Sequence, residues 1–434
     1  MRPATFHPIS RSLSPASVTR SQRLSALAQH ATRSQPEPIP IHQHEPPKTR
    51  KHQDPYVLVA PELTYIRKNM LNLLGSAHPG LAGMAEFYFL HPSKQLRSLL
   101  VLLFSRATNG LGRHWELKHW DATYESSSNQ SEVFDRPLKL SNVLNEWNHS
   151  MPDHTKSFES VFPLQQPAQP PTLPPRSPHK TPIHPRLISP PVLLPTQIRL
   201  AQIVEMIHVA SLLHETISKG SKEEEEGFGN KLSILGGDFL LGRASTALSR
   251  LGESEVVELV ASVISNLVEG EFLSMDEIRT PEQAAWELYL QKTYLKTASL
   301  MAKGARSAVI LGGSQEDDIW KEVAYAYGRN LGIAYQLLED AADLTQIRPG
   351  LASGPVLFAC EERPGMLPLI QRNLTSPGDI ALALEYTQGT SGVERTRLLA
   401  ESYANKAREV LQLLPDSDTR RALEGLTDIV VNRI

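Results

Sequence analysis

The chain has 434 residues, a net charge of −3 and a single cysteine, Cys360. One thiol cannot form an internal disulfide, and a nearly neutral chain lacks the basic surface that nucleic-acid binding requires. No apolar run reaches the roughly 18 residues that a membrane-spanning helix needs. The composition therefore excludes a disulfide-rich secreted scaffold, a nucleic-acid-binding protein and a transmembrane protein.

The N-terminal region has the composition of a targeting segment. Residues 1–36 contain five arginines, seven serines and no acidic residue. This pattern is typical of a mitochondrial presequence, and an ordinary disordered tail is the alternative. We predict that residues 1–54 are a mitochondrial presequence followed by a disordered linker, and that the protein is mitochondrial.

The prolines divide the rest of the chain. Of the 33 prolines, nine fall in residues 1–60 and twelve in residues 163–195. Residues 55–106 have the apolar pattern of helices, and residues 198–434 continue it. Between them we predict a Pro-rich disordered insertion at residues 107–197. The two helical stretches together have about 290 residues, a normal size for one domain.

The apolar residues of the second stretch repeat at helical spacing. Val256, Val260 and Val263, for example, share one helical face. Gly and Pro separate the successive segments, as expected where helices end. The predicted fold class is all-α, a large helical bundle with a central cavity.

One predicted helix concentrates carboxylates. Gln336, Asp340 and Asp343 lie at i, i+4 and i+7, and Glu339 lies on the adjoining stripe. Their neighbours are apolar, so this is not a simple solvated face. Mg²⁺ would relieve the repulsion, since it binds through one or two carboxylates together with substrate phosphates. A helix end with solvated acids is the alternative on spacing alone.

Six segments in this order resemble the trans-polyprenyl diphosphate synthases, and in particular the fungal mitochondrial enzymes that make the ubiquinone side chain. The resemblance covers residues 56–106 and 198–434, with the long insertion and the basic leader. The segments are AQIVEMIHVASLLH (201–214), GNKLSILGGDFLLGRAS (229–245), NLVEGEF (266–272), YLQKTYLKTASLMAK (289–303), GRNLGIAYQLLEDAADLT (328–345) and GPVLFA (354–359).

The resemblance implies the isoprenoid synthase type of bundle and a prenyl transfer. The family joins isopentenyl diphosphate to an allylic diphosphate, with Mg²⁺ held between two DDxxD motifs. The residues that it assigns here are Lys94, Arg97 and His208 for isopentenyl diphosphate; Lys292, Thr293 and Gln336 for the allylic diphosphate, with Lys292 and Gln336 as catalytic candidates; Glu339, Asp340 and Asp343 for metal in the second motif; and Ala210 and Ser211 for chain length.

The first acidic motif departs from the family pattern. Directly after the LLH segment the chain reads Glu215, Thr216, Ile217, Ser218, Lys219, with a net charge of about 0 where DDxxD has about −3. Glu215 alone remains there as a metal-ligand candidate. Ser98 also replaces the usual proline after Arg97, and the Arg-Arg-Gly that follows the first motif in the family is missing.

Three interpretations follow from these departures. The chain is a catalytically weakened synthase, or it is a non-catalytic or regulatory subunit that pairs with an active synthase, or the gene model has lost a block of sequence. The resemblance also implies a homodimer or a heterodimer with a related synthase. The small Ala210 and Ser211 favour a long product, with close helix packing as the alternative. An apolar product would suit a protein of the matrix or of the inner-membrane surface, in peripheral contact with the membrane.

Overall fold

The computed structural model describes residues 54–74, 79–90, 95–127, 193–217, 224–273, 282–344, 347, 349–350 and 352–432. Every regular element in these ranges is helical, which confirms the all-α prediction. They all belong to one unit that runs from His52 to Ile434. The predicted presequence, most of the predicted insertion and Lys94 lie outside the described residues.

The described residues form helices that we number in chain order. These are α1 (Pro55–Leu58), α2 (Ala60–Leu74), α3 (Pro79–Leu90), α4 (Leu96–Thr108), α5 (Trp115–Ser127), α6 (Pro195–Ile217), α7 (Glu224–Ser249), α8 (Ser254–Leu273), α9 (Glu282–Thr293), a π-helical turn (Tyr294–Ala298), α10 (Ser299–Leu311), α11 (Ile319–Ala342), α12 (Gly354–Glu362), a 3₁₀ turn (Pro364–Met366), α13 (Leu367–Gln371), α14 (Asp379–Gln388), α15 (Gly392–Leu411) and α16 (Asp418–Val431).

The core is built around α4, which is buried on all sides. Every side chain from Ser98 to Ser105 is buried, the pattern of a helix with neighbours all round rather than of a surface helix. α4 packs on α6 and α10, and α11 packs on α10 and α15. These contacts bring α4, α6, α10 and α11 together and thereby position the polar residues described below.

Two glycines of α11 allow it to approach α10 at very short range. A Cβ on Gly332 would lie 2.6 Å from the Cα of Ala298, and a Cβ on Gly328 would lie 2.6 Å from the carbonyl oxygen of Met301. No larger residue fits either contact without a backbone shift. The close approach sets Gln336, one turn after Gly332, beside Thr297.

The helical path from α9 to α10 is interrupted by the π-helical turn Tyr294–Ala298. A single turn of this kind inserts one extra residue into the helix and rotates the side chains that follow, and such turns are frequent at functional sites. Lys296 and Thr297 lie within it.

The structure corrects both edges of the predicted insertion. α5 (Trp115–Ser127) falls inside the range that we assigned to disorder, and α6 begins at Pro195 rather than after residue 197. α5 is polar and lacks a long apolar stripe, so its periodicity is weak; the ion pair from Lys118 to Glu253 of the loop before α8, with 3.0 Å between Nζ and Oε2, helps to hold it. No helix of the described residues is long and apolar enough to cross a membrane.

Candidate active site

Arg97 and His208, which the resemblance assigns to one substrate, lie together. Arg97 Nη1 on α4 donates to His208 Nε2 on α6 at 2.9 Å. Nε2 must therefore be an acceptor, so the imidazole is neutral with its proton on Nδ1. Burial, and then the charge of Arg97, lower the pKa of His208 well below its usual value. Arg97 Nε is buried and has no hydrogen-bond partner among the described residues. Burial lowers the pKa of Arg97, and the charge of Glu205 opposes this.

A buried carboxylate, Glu205, lies one turn before His208 on α6. Ser98 Oγ lies 3.1 Å from Glu205 Oε2 and 2.9 Å from the carbonyl oxygen of Ala201, and it shares its proton between them. Burial raises the pKa of Glu205, opposed by the charge of Arg97 and by the hydrogen bond from Ser98. Glu205 was not among the predicted site residues, although a lone acid on a largely apolar helix was a signal for it.

Asp340 is the carboxylate of the second motif that faces inward. Its Oδ2 accepts from the hydroxyl of Tyr289 at 2.7 Å and its Oδ1 accepts from Gln336 Nε2 at 2.8 Å. Burial raises the pKa of Asp340, and these two bonds oppose that rise. Of the other two acids, Glu339 is exposed and Asp343 follows the last residue of α11.

Gln336 is fixed at both ends of its amide. Its Nε2 donates to Asp340, and its Oε1 accepts from the hydroxyl of Thr297 at 2.8 Å. The structure therefore brings Gln336 and Asp340 together, as their i, i+4 spacing predicts. It adds Tyr289 and Thr297, which sequence analysis did not assign.

The dipeptide Lys-Thr occurs twice, at 292–293 and at 296–297. Thr293 is buried, and Lys292 is largely buried in the field of Lys296 and of the nearby carboxylates; burial and the charge of Lys296 lower its pKa. Thr293 forms a hydrogen bond with the hydroxyl of Tyr289. In the second pair, Thr297 contacts Gln336 and Lys296 contacts two carboxylates. The role of Lys292 and Thr293 stays a prediction. The repeated dipeptide was the signal in the sequence for the second pair, Lys296 and Thr297, which was not predicted.

Glu215, the acid left from the first motif, is held by a lysine. Lys296 Nζ lies 2.9 Å from Glu215 Oε1 and 2.7 Å from Glu271 Oε2. Burial disfavours the ammonium, but the two carboxylates outweigh it and raise the pKa of Lys296. The side chain of Thr216 and all of Ser218 and Lys219 lie outside the described residues. The charge of Glu215 is thus largely satisfied within the protein.

The first and second acidic motifs differ in their fit to a divalent cation. In the part of the chain that the structure describes, no group of three His, Cys, Asp or Glu is arranged to hold a metal ion. Glu215 beside Lys296 does not suit one. In the second motif Asp340 faces inward, and Mg²⁺ commonly takes one or two carboxylates and completes its shell with water and substrate phosphates. The metal role of Glu339, Asp340 and Asp343 stays a prediction.

The two chain-length candidates lie on α6, between His208 and Glu215. Ala210 is fully buried, and Ser211 is partly buried with its hydroxyl donating to the carbonyl oxygen of His208 at 2.7 Å. Both side chains are small. Their effect on product length stays a prediction.

Comparison with known proteins places these observations in a family. The model of the family described as Polyprenyl synthetase matches residues 189–351. The chain is 37% identical over 412 residues to the "Probable hexaprenyl pyrophosphate synthase, mitochondrial" of Yarrowia lipolytica, covering 88% of this chain and 85% of that one. It is 33% identical over 399 residues to "Decaprenyl-diphosphate synthase subunit 1" of Schizosaccharomyces pombe, covering 87% and 90%.

A solved structure supports the fold. The polyprenyl synthase of Caulobacter crescentus, whose crystals contained calcium and isoprenyl diphosphate, matches 87% of this chain and 97% of its own with a TM-score of 0.61 at 22% identity. That likeness concerns architecture, and it confirms the isoprenoid synthase type of bundle. Together with the sequence relatives, it shows that the chain belongs to the polyprenyl synthetase family of trans-prenyltransferases, as one of its mitochondrial members.

Proposed function

We propose that the chain is a catalytically weakened polyprenyl diphosphate synthase, which condenses isopentenyl diphosphate onto an allylic diphosphate for a ubiquinone side chain. One observation carries the proposal: Arg97 and His208 are in contact and Arg97 Nε has no hydrogen-bond partner among the described residues, whereas Glu215 is ion-paired with Lys296. The residues for isopentenyl diphosphate are therefore retained, and the first acidic motif is altered.

Isopentenyl diphosphate would bind at Arg97. A guanidinium presents a planar fork of N–H donors, which suits the oxygens of a diphosphate, and charge-assisted hydrogen bonds of this kind are strong. His208 is neutral, so it adds a hydrogen-bonding group beside Arg97 without adding charge. Lys94, just before α4, would supply a further point charge from outside the described residues.

The allylic diphosphate would lie against Gln336, Thr297 and the lysines of the α9–α10 segment. When bound, Mg²⁺ held by Glu339, Asp340 and Asp343 would supply positive charge to the departing diphosphate. The protein's own contribution is to orient that group and to balance its developing charge. Lys296 can take part only if it gives up some of its contact with Glu215 and Glu271.

The size of the weakening can be bounded. Removing one electrostatic stabiliser of a transition state typically costs roughly 10² to 10³ in rate. Here several parts of the first motif have changed together. When residues act as a unit, the rate losses from changing each of them do not multiply. We therefore expect a rate of chain extension about 10² to 10³ below that of an intact synthase.

The test is chain extension by the purified chain with MgCl₂, farnesyl diphosphate and labelled isopentenyl diphosphate. Slow extension, which depends on Arg97, is the expected result. Extension at the rate of an intact synthase would refute the weakening, and a complete lack of product would refute the enzymatic proposal.

A second candidate is a regulatory subunit that forms a heterodimer with an active synthase. It is favoured by the name of the S. pombe relative, which is a subunit 1, and by the occupied Lys296. Co-expression with an intact synthase tests it: without a complex and without a change in the partner's product, this role loses its basis. Sequencing the transcript across codons 214–230 tests the alternative of a gene-model error, since an in-frame DDxxD would establish one.

A further inference from the structure

Tyr289 on α9 directs its hydroxyl into the site from a fixed ring. Its ring packs edge-on against Trp286, with 5.6 Å between centroids and an interplanar angle of 90°. Trp286 in turn packs against Phe358 of α12, with 4.5 Å between centroids and the rings tilted by 57°. Since Tyr289 is itself buried, the ring has little freedom. Its hydroxyl donates to Oδ2 of Asp340 and also forms hydrogen bonds with the side chain of Thr293 and the backbone N–H of Gly354.

A continuous series of hydrogen bonds runs from Tyr289 to the π-helical turn. Tyr289 donates to Asp340, Gln336 donates to the other oxygen of Asp340, and Thr297 donates to Gln336. The series links α9, α11 and the π-helical turn, so the orientation of each side chain depends on the next.

The consequence of losing the Tyr289 hydroxyl follows from burial. Asp340 lies largely out of water, and an unsatisfied buried carboxylate is costly. Without this donor, Oδ2 would be left with the long contact from the backbone N–H of Gly354, at 3.5 Å. The carboxylate would then turn toward water or another donor, and Gln336 would lose the acceptor that fixes its amide. Members of one hydrogen-bond network are energetically coupled in this way.

We propose that Tyr289 is a positioning residue for the allylic diphosphate. Its hydroxyl holds Asp340 and, through Asp340, Gln336 and Thr297 in the orientation that receives the diphosphate. The inference rests on the proposed function, because it takes a diphosphate as the ligand of Asp340, Gln336 and Thr297. It assigns a role to a residue that would touch neither the substrate nor the reacting atoms.

The experiment compares Tyr289→Phe with Tyr327→Phe by calorimetric binding of farnesyl diphosphate and, separately, of isopentenyl diphosphate, each with MgCl₂. Tyr327 is a matched control, because its buried hydroxyl also makes protein hydrogen bonds, with Leu423 and Thr427. It precedes Asp340 on α11 by about 20 Å of helix. We expect Tyr289→Phe to weaken farnesyl diphosphate binding roughly 5- to 10-fold and to leave isopentenyl diphosphate binding within about twofold, since Arg97 and His208 share no hydrogen bond with the series.

A double-mutant cycle with Thr297→Val separates positioning from simple packing. The two hydroxyls lie at opposite ends of the series, so independent packing effects would add. We expect a coupling of at least about threefold in the dissociation constant of farnesyl diphosphate. Additive effects, or an equal loss of both substrates in Tyr289→Phe, would overturn the inference.

The outcomes for the two proposals are distinct. If the wild-type chain extends no substrate but Tyr289→Phe still weakens farnesyl diphosphate binding, the proposed activity fails and the inference stands. If the wild-type chain extends substrate and Tyr289→Phe binds farnesyl diphosphate like the wild type, the inference fails and the activity stands. A wild-type chain that does not bind farnesyl diphosphate overturns the inference as well.

Discussion

Helix α6 carries one residue of each of two contrasting pairs. His208 faces Arg97, and Glu215, two turns later, faces Lys296. In the first pair the histidine is neutral, and Arg97 also lies in the field of one buried carboxylate, Glu205. In the second pair the cation meets two carboxylates and is already balanced. The comparison shows that whether a basic residue is available to an anion depends on the carboxylates around it: Arg97 lies near one, and Lys296 is in direct contact with two.

Restoring the first acidic motif should produce the largest change. The variant Glu215→Asp, Thr216→Asp, Lys219→Asp replaces a neutral segment with three acids, and we expect chain extension to rise by roughly 10² or more, the value of one restored electrostatic stabiliser. Product formation with farnesyl diphosphate measures it. Glu215→Asp alone is the control, since it keeps the charge, and a triple variant no faster than this control would contradict the account.

Arg97→Lys tests the other pair of the comparison, Arg97 and His208. It keeps the positive charge and removes the fork, so we expect isopentenyl diphosphate to bind roughly 10- to 100-fold more weakly. Farnesyl diphosphate binding should stay unchanged. Calorimetry with each substrate separates the two effects. A loss of affinity confined to farnesyl diphosphate would contradict the assignment of Arg97 to isopentenyl diphosphate.

The lowered pKa of His208 predicts a dependence of stability on pH. The unfolded histidine binds a proton near pH 6.5 while the buried one resists it, so its contribution is present above that pH and is lost as pH falls. Over the first units below pH 6.5, the wild type should lose up to about 1.4 kcal/mol per pH unit more than His208→Gln. Urea denaturation of both proteins at several pH values measures this. Parallel pH profiles would show that His208 is not held neutral.

Glu215→Gln should have the smallest effect. It removes one of two carboxylates from Lys296, and Glu215 is about half exposed, so the pair contributes on the order of 1 kcal/mol or less. We expect inorganic pyrophosphate to bind about two- to fivefold more tightly with MgCl₂ present. Glu258→Gln, on the exposed side of α8, is the matched control. Weaker binding in Glu215→Gln would mean that Glu215 serves the ligand rather than competing with it.

Much of the fold follows from local pattern. Helical periodicity and Gly or Pro boundaries were sufficient for the all-α class and for the helix that carries Gln336 and Asp340. Their i, i+4 spacing appears in the structure as a direct hydrogen bond of 2.8 Å. α5 was not predicted because its sequence is polar and lacks a long apolar stripe.

The site was harder to read, because its geometry depends on contacts that are distant in sequence. A choice between Lys292 and Lys296 cannot be made from a regular 3.6-residue period, since the π-helical turn shifts the register between them. Tyr289 meets Asp340 across 51 residues, and no local signal marks that meeting. Glu205 depends on Ser98 of another helix in the same way.

The central claim is that the isopentenyl diphosphate side is intact while the allylic side is compromised. It is tested most directly by measuring both dissociation constants on the wild-type protein, one substrate at a time with MgCl₂, so that no condensation occurs. The account predicts that isopentenyl diphosphate binds at least about tenfold more tightly than farnesyl diphosphate, a difference of about 1.4 kcal/mol. Tighter binding of farnesyl diphosphate would contradict it.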